Sequence, residues 1–144
     1  MIEVLDNALM NGYTAAWGSD VSEKGFSFKN GVAIVPDVDW SSIKKEKMDS
    51  VLLTPGKEIE ITQAMRQEAF DNYETIDDHG MHIVGIVKDQ NGAKYYIVKN
   101  SWGTKGNDCD GYFYASEAFV KYKTTSIMIH KDGVKKDIAK KLGM

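Results

Sequence analysis

One cysteine, Cys109, is all the chain has. An internal disulfide needs two thiols and a multi-cysteine zinc site needs more, so neither is open to this sequence. Proline is almost as scarce, at two residues, and neither a low-complexity stretch nor an internal repeat is visible. No run reaches the roughly eighteen apolar residues that a membrane-spanning helix needs. Basic charge is not in excess: 18 Lys and Arg stand against 21 Asp and Glu, and a formal charge of −3 argues against nucleic acid as a partner. The opening Met1-Ile2-Glu3-Val4-Leu5-Asp6 lacks the basic-then-apolar layout of a secretion signal, and a cytoplasmic setting is the expectation.

What remains is the composition of an ordinary globule, 42% hydrophobic and 27% charged over 144 residues. That length suits a single domain, residues 1–144, with one core. Helical spacing of Val4, Leu5, Ala8 and Leu9 predicts a first helix, which Asn11-Gly12 stops. Short strands are expected at 13–17, ended by Gly18-Ser19-Asp20, and at 32–35, ended by Pro36. The intervening residues 18–31 read as loop. Residues 41–50 are polar, and Thr54-Pro55-Gly56 reads as a turn. Thr62 is placed to cap a helix reaching about residue 73, with Met65, Ala69, Phe70 and Tyr73 as its buried stripe. Two strands at 79–87 and 94–100 flank the hairpin signal Asn91-Gly92. Further on come an aromatic strand at 111–115, a short helix at 117–121 capped by Ser116, a strand at 124–130 and a terminal helix at 134–142. Mostly antiparallel strands with helices at the ends predict an α+β fold.

The chemistry-bearing stretch is Asp78-His79-Gly80-Met81-His82-Ile83-Val84-Gly85, followed by Tyr96-Ile97-Val98-Lys99-Asn100-Ser101-Trp102-Gly103 and Gly111-Tyr112-Phe113. A thiol peptidase needs an imidazole to take the cysteine proton and form a thiolate–imidazolium pair. It also needs a group that accepts a hydrogen bond from the other ring nitrogen, and an amide oxygen serves. His79 begins one arm of the hairpin and Asn100 ends the other, so both fall at the same end of the ribbon. Trp102, two residues beyond, is placed to cover their hydrogen bond.

Histidine with Met81 and Gly85 following, then Asn-Ser-Trp-Gly, then Gly-Tyr-Phe, resembles the C-terminal half of papain-like cysteine peptidases. The run Ala16-Trp17-Gly18-Ser19-Asp20-Val21-Ser22 and the helix after Thr62 look like the bleomycin hydrolase / aminopeptidase C branch, and the likeness extends over essentially the whole chain. The resemblance implies an antiparallel β-rich, barrel-like half with flanking helices. It further implies that His79 and Asn100 are catalytic, as general base and orienting amide, with Trp102 supporting them. The activity implied is peptide-bond hydrolysis through a Cys–His–Asn triad, with no cofactor and no metal. The family's nucleophilic cysteine, and the glutamine lining the oxyanion hole, lie in an N-terminal part that these residues do not include. The expected partners are therefore a peptide substrate and that cysteine-bearing part, and the chain alone is expected to be silent. The His79 end of the hairpin and the run Tyr112-Phe113-Tyr114 are expected near the face that meets that part, and self-association is expected through surface near His79 and Trp102. Members of this branch commonly end in an extended arm that restricts the cleft to free N-termini, and Lys140-Lys141-Leu142-Gly143-Met144 shows no such arm.

Other residues have plainer readings. Cys109 lies between Asp108 and Asp110 in an acidic loop expected to be flexible, and those carboxylates disfavour a thiolate, so it is not the nucleophile. His82 with His79, Asp77 and Asp78 invites a metal reading, but strand residues three apart point to opposite faces, and His82 is expected to be a partly buried packing residue. Asp77 and Asp78 are read as surface charges, Trp17 as core. Two functional alternatives stand beside the peptidase: an acyl transferase with the same triad, and a non-catalytic papain-fold scaffold or binding module.

Overall fold

In the computed structural model, which describes residues 1–54 and 56–144, seven strands form one sheet. The strands are β1 (Ala15–Ser19), β2 (Phe26–Ser27), β3 (Val32–Ala33), β4 (His79–Lys88), β5 (Lys94–Lys99), β6 (Tyr112–Ser116) and β7 (Thr124–Ile129). Their order is β2-β3-β6-β5-β4-β1-β7, and every pairing is antiparallel except β3 with β6. Helices α1 (Ile2–Met10), α2 (Met48–Leu53), α3 (Gln63–Asp71), α4 (Glu117–Lys123) and α5 (Lys136–Lys141) flank it, giving the α+β, antiparallel β-rich class expected.

Period-two alternation builds the core. Met81 and Ile83 from β4, Tyr96 and Val98 from β5, and Phe113 and Ala115 from β6 all point inward, and Leu5, Trp17, Phe119 and Val120 close over them. Trp17 stays buried without an orphaned N–H because its indole donates to Thr124 Oγ1 at 2.8 Å. The first helix is clipped to the hairpin by polar bonds: the hydroxyl of fully buried Tyr96 donates to Asp6 at 2.6 Å, and Lys94 bridges Asp6 and Glu117.

The hairpin contains one irregularity. Lys88 pairs with Lys94, and the ladder holds register up to Gly85 opposite Ile97. Then Ile83 faces Val98, so Val84 is an extra residue, a β-bulge.

Several boundaries differ from the sequence reading, each for a local reason. Strand β1 starts at Ala15 and runs through Gly18 rather than stopping there. A Cβ at Gly18 would lie 2.5 Å from Ser126 Oγ, so this glycine permits close strand approach instead of breaking the strand. Strand β3 ends at Ala33: Ile34 N still donates to Gly25 O in register with β2, but the next N–H, that of Val35, turns to Glu58 Oε1. Phe26–Ser27, inside the supposed loop, is a strand paired to β3. Polar residues 41–50 turn into a 3₁₀ turn and then α2. Thr62 does cap α3, accepting from Met65 N at 3.2 Å, but the expected stripe is only partly right. Ala69 is buried, whereas Phe70 is 62% and Tyr73 83% exposed. One residue along a helix is a turn of about 100°, so Phe70 leaves the face of Met65 and Ala69, and Tyr73 lies beyond the helix with φ +63°. The turn read across Pro55 lies outside the described residues.

Candidate active site

His79 opens β4 on the core-facing side, in phase with Met81 and Ile83; Asn100 follows β5 in phase with Tyr96 and Val98. The hairpin thus brings the ends of two strands together, and His79 Nε2 stands 2.7 Å from Asn100 Oδ1. That oxygen also accepts the backbone N–H of Ser101 at 2.7 Å, which fixes which side of the amide is oxygen. A carbonyl oxygen only accepts, so Nε2 carries the ring proton in the neutral imidazole and Nδ1 carries the lone pair. Asn100 is buried, and its Nδ2 has no hydrogen-bond partner among the described residues. The backbone around it is anchored as well: Asn100 N donates to Gly111 O at 3.0 Å. At Gly111 (φ +81°) a Cβ would come within 2.6 Å of Gly103 O, so the glycine is required where these two loops touch.

Trp102 packs on the imidazole, with ring centroids 4.4 Å apart and planes tilted by 34°. Its other contacts are edge-on, from Phe26 at 6.0 Å and Phe28 at 5.1 Å, and Phe26 in turn meets core Phe113. Neither phenylalanine was legible as part of the site. They sit in a segment rich in glycine and polar residues, and the only hint was two aromatic residues spaced by one, Phe26 and Phe28.

The approach to His79 is held by buried polar chemistry that sequence reasoning also missed. Asp20, though almost fully buried, accepts from Ser22 N, Ser22 Oγ and Ile76 N. Burial alone would raise its carboxyl, but these hydrogen bonds outweigh that and hold it below its ordinary value. Beside it, buried Lys123 pairs with Glu23 and donates to Thr75 Oγ1 at 3.1 Å. Asp78 Oδ1 receives Val21 N, and Asp77 Oδ1 receives Thr125 Oγ1, so these two surface carboxylates tie the segment before β4 to its neighbours.

A groove of about 760 Å³ opens beside the pair, lined by His79, Asn100, Trp17, Gly80, Ser126 and Met128 among others. Cys109 does not line it. That cysteine lies in a loop less free than expected, because Asn107 pins it: Oδ1 accepts from Cys109 N and Gly111 N, and Nδ2 donates to Phe28 O and Tyr112 O. Burial, then Asp108 and Asp110, push the thiol above its ordinary value, so the larger cause is packing and not the flanking charge. His82 departs from its reading, for it is exposed rather than partly buried and its Nε2 lies 2.7 Å from Thr14 Oγ1. Among the described residues no cluster of three His, Cys, Asp or Glu could hold a metal ion.

Comparison with known proteins follows the same lines. Residues 3–144 match the family described as "Peptidase C1-like family". Aminopeptidase C of Listeria innocua is 32% identical over 78 residues, 54% of this chain and 17% of that protein. Cathepsin L1 of Drosophila melanogaster is 52% identical over 31 residues, 22% of this chain and 8% of that one. Among solved structures, PepW from Lactobacillus rhamnosis HN001 superposes with a TM-score of 0.63 at 24% identity, over 97% of this chain and 28% of PepW, a likeness of fold. The chain thus spans less than a third of the length of each of these relatives.

Proposed function

The chain belongs to the peptidase C1-like family, and we propose that it supplies the base and the orienting amide, His79 and Asn100, of a cysteine peptidase of the aminopeptidase C type. The observation that carries this reading is the 2.7 Å contact from His79 Nε2 to an amide oxygen that a backbone N–H already holds in place. It leaves His79 Nδ1 as the nitrogen that takes a proton.

In the proposed reaction the thiol proton of a cysteine on the N-terminal part passes to His79 Nδ1, and the thiolate sulfur attacks the scissile carbonyl carbon. The resulting imidazolium protonates the leaving amine as the C–N bond breaks, giving a thioester. A water molecule, deprotonated by the same nitrogen, then releases the acid and restores the thiol. Asn100 holds the ring in the productive tautomer throughout, and Trp102 keeps water from the His–Asn hydrogen bond. The reading accounts for the orphaned Asn100 Nδ2 as well: a buried donor without an acceptor costs about 1–3 kcal/mol, and an acceptor on the cysteine-bearing part would remove that cost. Trp102, 48% exposed beside the groove, belongs to the same proposed contact surface, and in the isolated chain a second copy is proposed to cover it.

The test is complementation. The 144-residue chain alone should not hydrolyse fluorogenic aminoacyl peptides, and mixing or co-expressing it with the cysteine-bearing part should restore turnover. Turnover by the isolated chain that disappears in His79→Ala, or complementation that His79→Ala leaves intact, would defeat the proposal.

A further inference from the structure

A second cavity, also of about 760 Å³, shares no lining residue with the His79 groove. It lies on the other face of the sheet. Tyr95 and Tyr114 alternate with core residues Tyr96, Phe113 and Ala115 and so point away from the core, and Val87 stands directly opposite Tyr95. The segment after β3 returns over these side chains, bringing Ile34, Val51 of α2 and Glu58 to the opposite wall. The size falls within the range of small-molecule sites, which are apolar with a few placed polar groups.

Glu58 is the placed group. Its Oε1 accepts from Val35 N and from Ser116 Oγ at 2.7 Å, which locks the side chain, while Oε2 has no hydrogen bond among the described residues. The charges around the cavity are Asp37, Glu58 and Asp89 against Lys57 and Lys88, one net negative charge. Lys57 is engaged by Asp37 at 2.6 Å, so it does not neutralise Glu58. Burial, with Asp89 adding a like charge, raises the Glu58 carboxyl, and the Tyr95 hydroxyl close by is pushed up to about 12. A carboxylate held in apolar walls and short of a counter-charge gains from a cation that brings its own apolar body.

We propose that this cavity binds an organic ammonium ion with an aromatic or branched aliphatic body, its nitrogen seated on Glu58 Oε2 and its body between Val51, Val87, Tyr95 and Tyr114. An anion of the same shape meets three carboxylates and is rejected. A neutral analogue gains only the burial of its body.

The experiment is an amide-resolved NMR titration of the 144-residue chain with phenethylamine, with phenethyl alcohol and phenylacetate as the neutral and anionic versions of one body. Expected are saturable shifts at Val51, Val87, Tyr95 and Tyr114, with the amine binding about tenfold or more above phenylacetate. Glu58→Gln keeps the Oε1 acceptor, and should weaken the amine about tenfold while leaving the alcohol unchanged. Val87→Trp, at a partly exposed wall position, should weaken all binding by filling the space. The proposal is overturned if the amine gives no saturable shift, if phenylacetate binds as tightly, or if shifts map to the His79 groove. It is equally overturned if Glu58→Gln, with its spectrum otherwise native, binds the amine unchanged. Shifts of the same signals with protein concentration alone would assign the cavity to a second copy, and that also overturns it.

Discussion

The indole of Trp102 rests on the imidazole of His79 at 4.4 Å between centroids, and two phenylalanines, Phe26 and Phe28, hold the indole there by their edges. Side chains from β2 and its following turn therefore steady a ring at the start of β4. Aromatic side chains from two segments distant in sequence thus stack around one imidazole.

In the complemented peptidase proposed above, Trp102→Ala should lower kcat by about tenfold or more, on the premise that water then competes for Asn100 Oδ1. Trp102→Phe, keeping an aromatic face, should retain more activity than Trp102→Ala. Steady-state kinetics on an aminoacyl fluorogenic substrate measures both, and equal losses would detach the indole from this role.

His79→Ala should remove the proposed proton acceptor and cost about 10²–10⁴-fold in kcat of the complemented peptidase. Asn100→Ala should cost less, because the imidazole survives and only its orientation is lost. A larger loss for Asn100→Ala, measured with KM unchanged, would contradict the assigned roles.

Ser116 does two jobs, accepting Phe119 N as the cap of α4 and donating to Glu58 at 2.7 Å. Ser116→Ala should destabilise the fold by about 1–2 kcal/mol in urea unfolding. A change within error would mean that water replaces both bonds.

Glu58 should make stability fall as pH rises. Its carboxyl is raised by burial, so the folded state holds the proton more tightly than the unfolded one. The associated stability is fully present below the ordinary value of 4.5 and is lost as pH climbs through the higher folded value. Glu58→Gln should therefore gain in urea midpoint relative to the native chain at pH 7 and lose that advantage near about pH 4. An advantage independent of pH would show that the carboxylate is not strained.

Cys109 should alkylate slowly at neutral pH, its rate rising only above the ordinary thiol value of 9.0. Iodoacetamide rate against pH reads this directly, and a midpoint below about 7 would contradict it.

Local chemistry made some of this legible and distance in sequence hid the rest. The caps Thr62 and Ser116, the Asn91-Gly92 turn and the His79–Asn100 hairpin all depend on residues near each other or on one ribbon, and the sequence states them openly. The parallel pairing of β3 with β6 and the packing of Phe26 and Phe28 on Trp102 join segments about seventy-five to eighty residues apart, which no local pattern encodes. Gly18 misled because a glycine inside a strand reads as a stop, whereas here it admits Ser126. His82 misled because its partner, Thr14, belongs to another strand's approach.

The bulge at Val84 has a further meaning. Counted from the turn without an extra residue, the ladder of Gly85 with Ile97 would continue to His82 opposite Asn100. Cross-strand partners share a face, so that register would hand the asparagine to His82 and turn His79 to the other side. The inserted residue shifts the phase by one, and Met81 falls opposite Asn100 with His79 on the same side. The hairpin is thus a selector between two histidines three positions apart. What sets the selector is grease rather than chemistry: in the unbulged phase Met81 and Ile83, both buried, would face outward, so the core's demand for them decides which imidazole meets the amide.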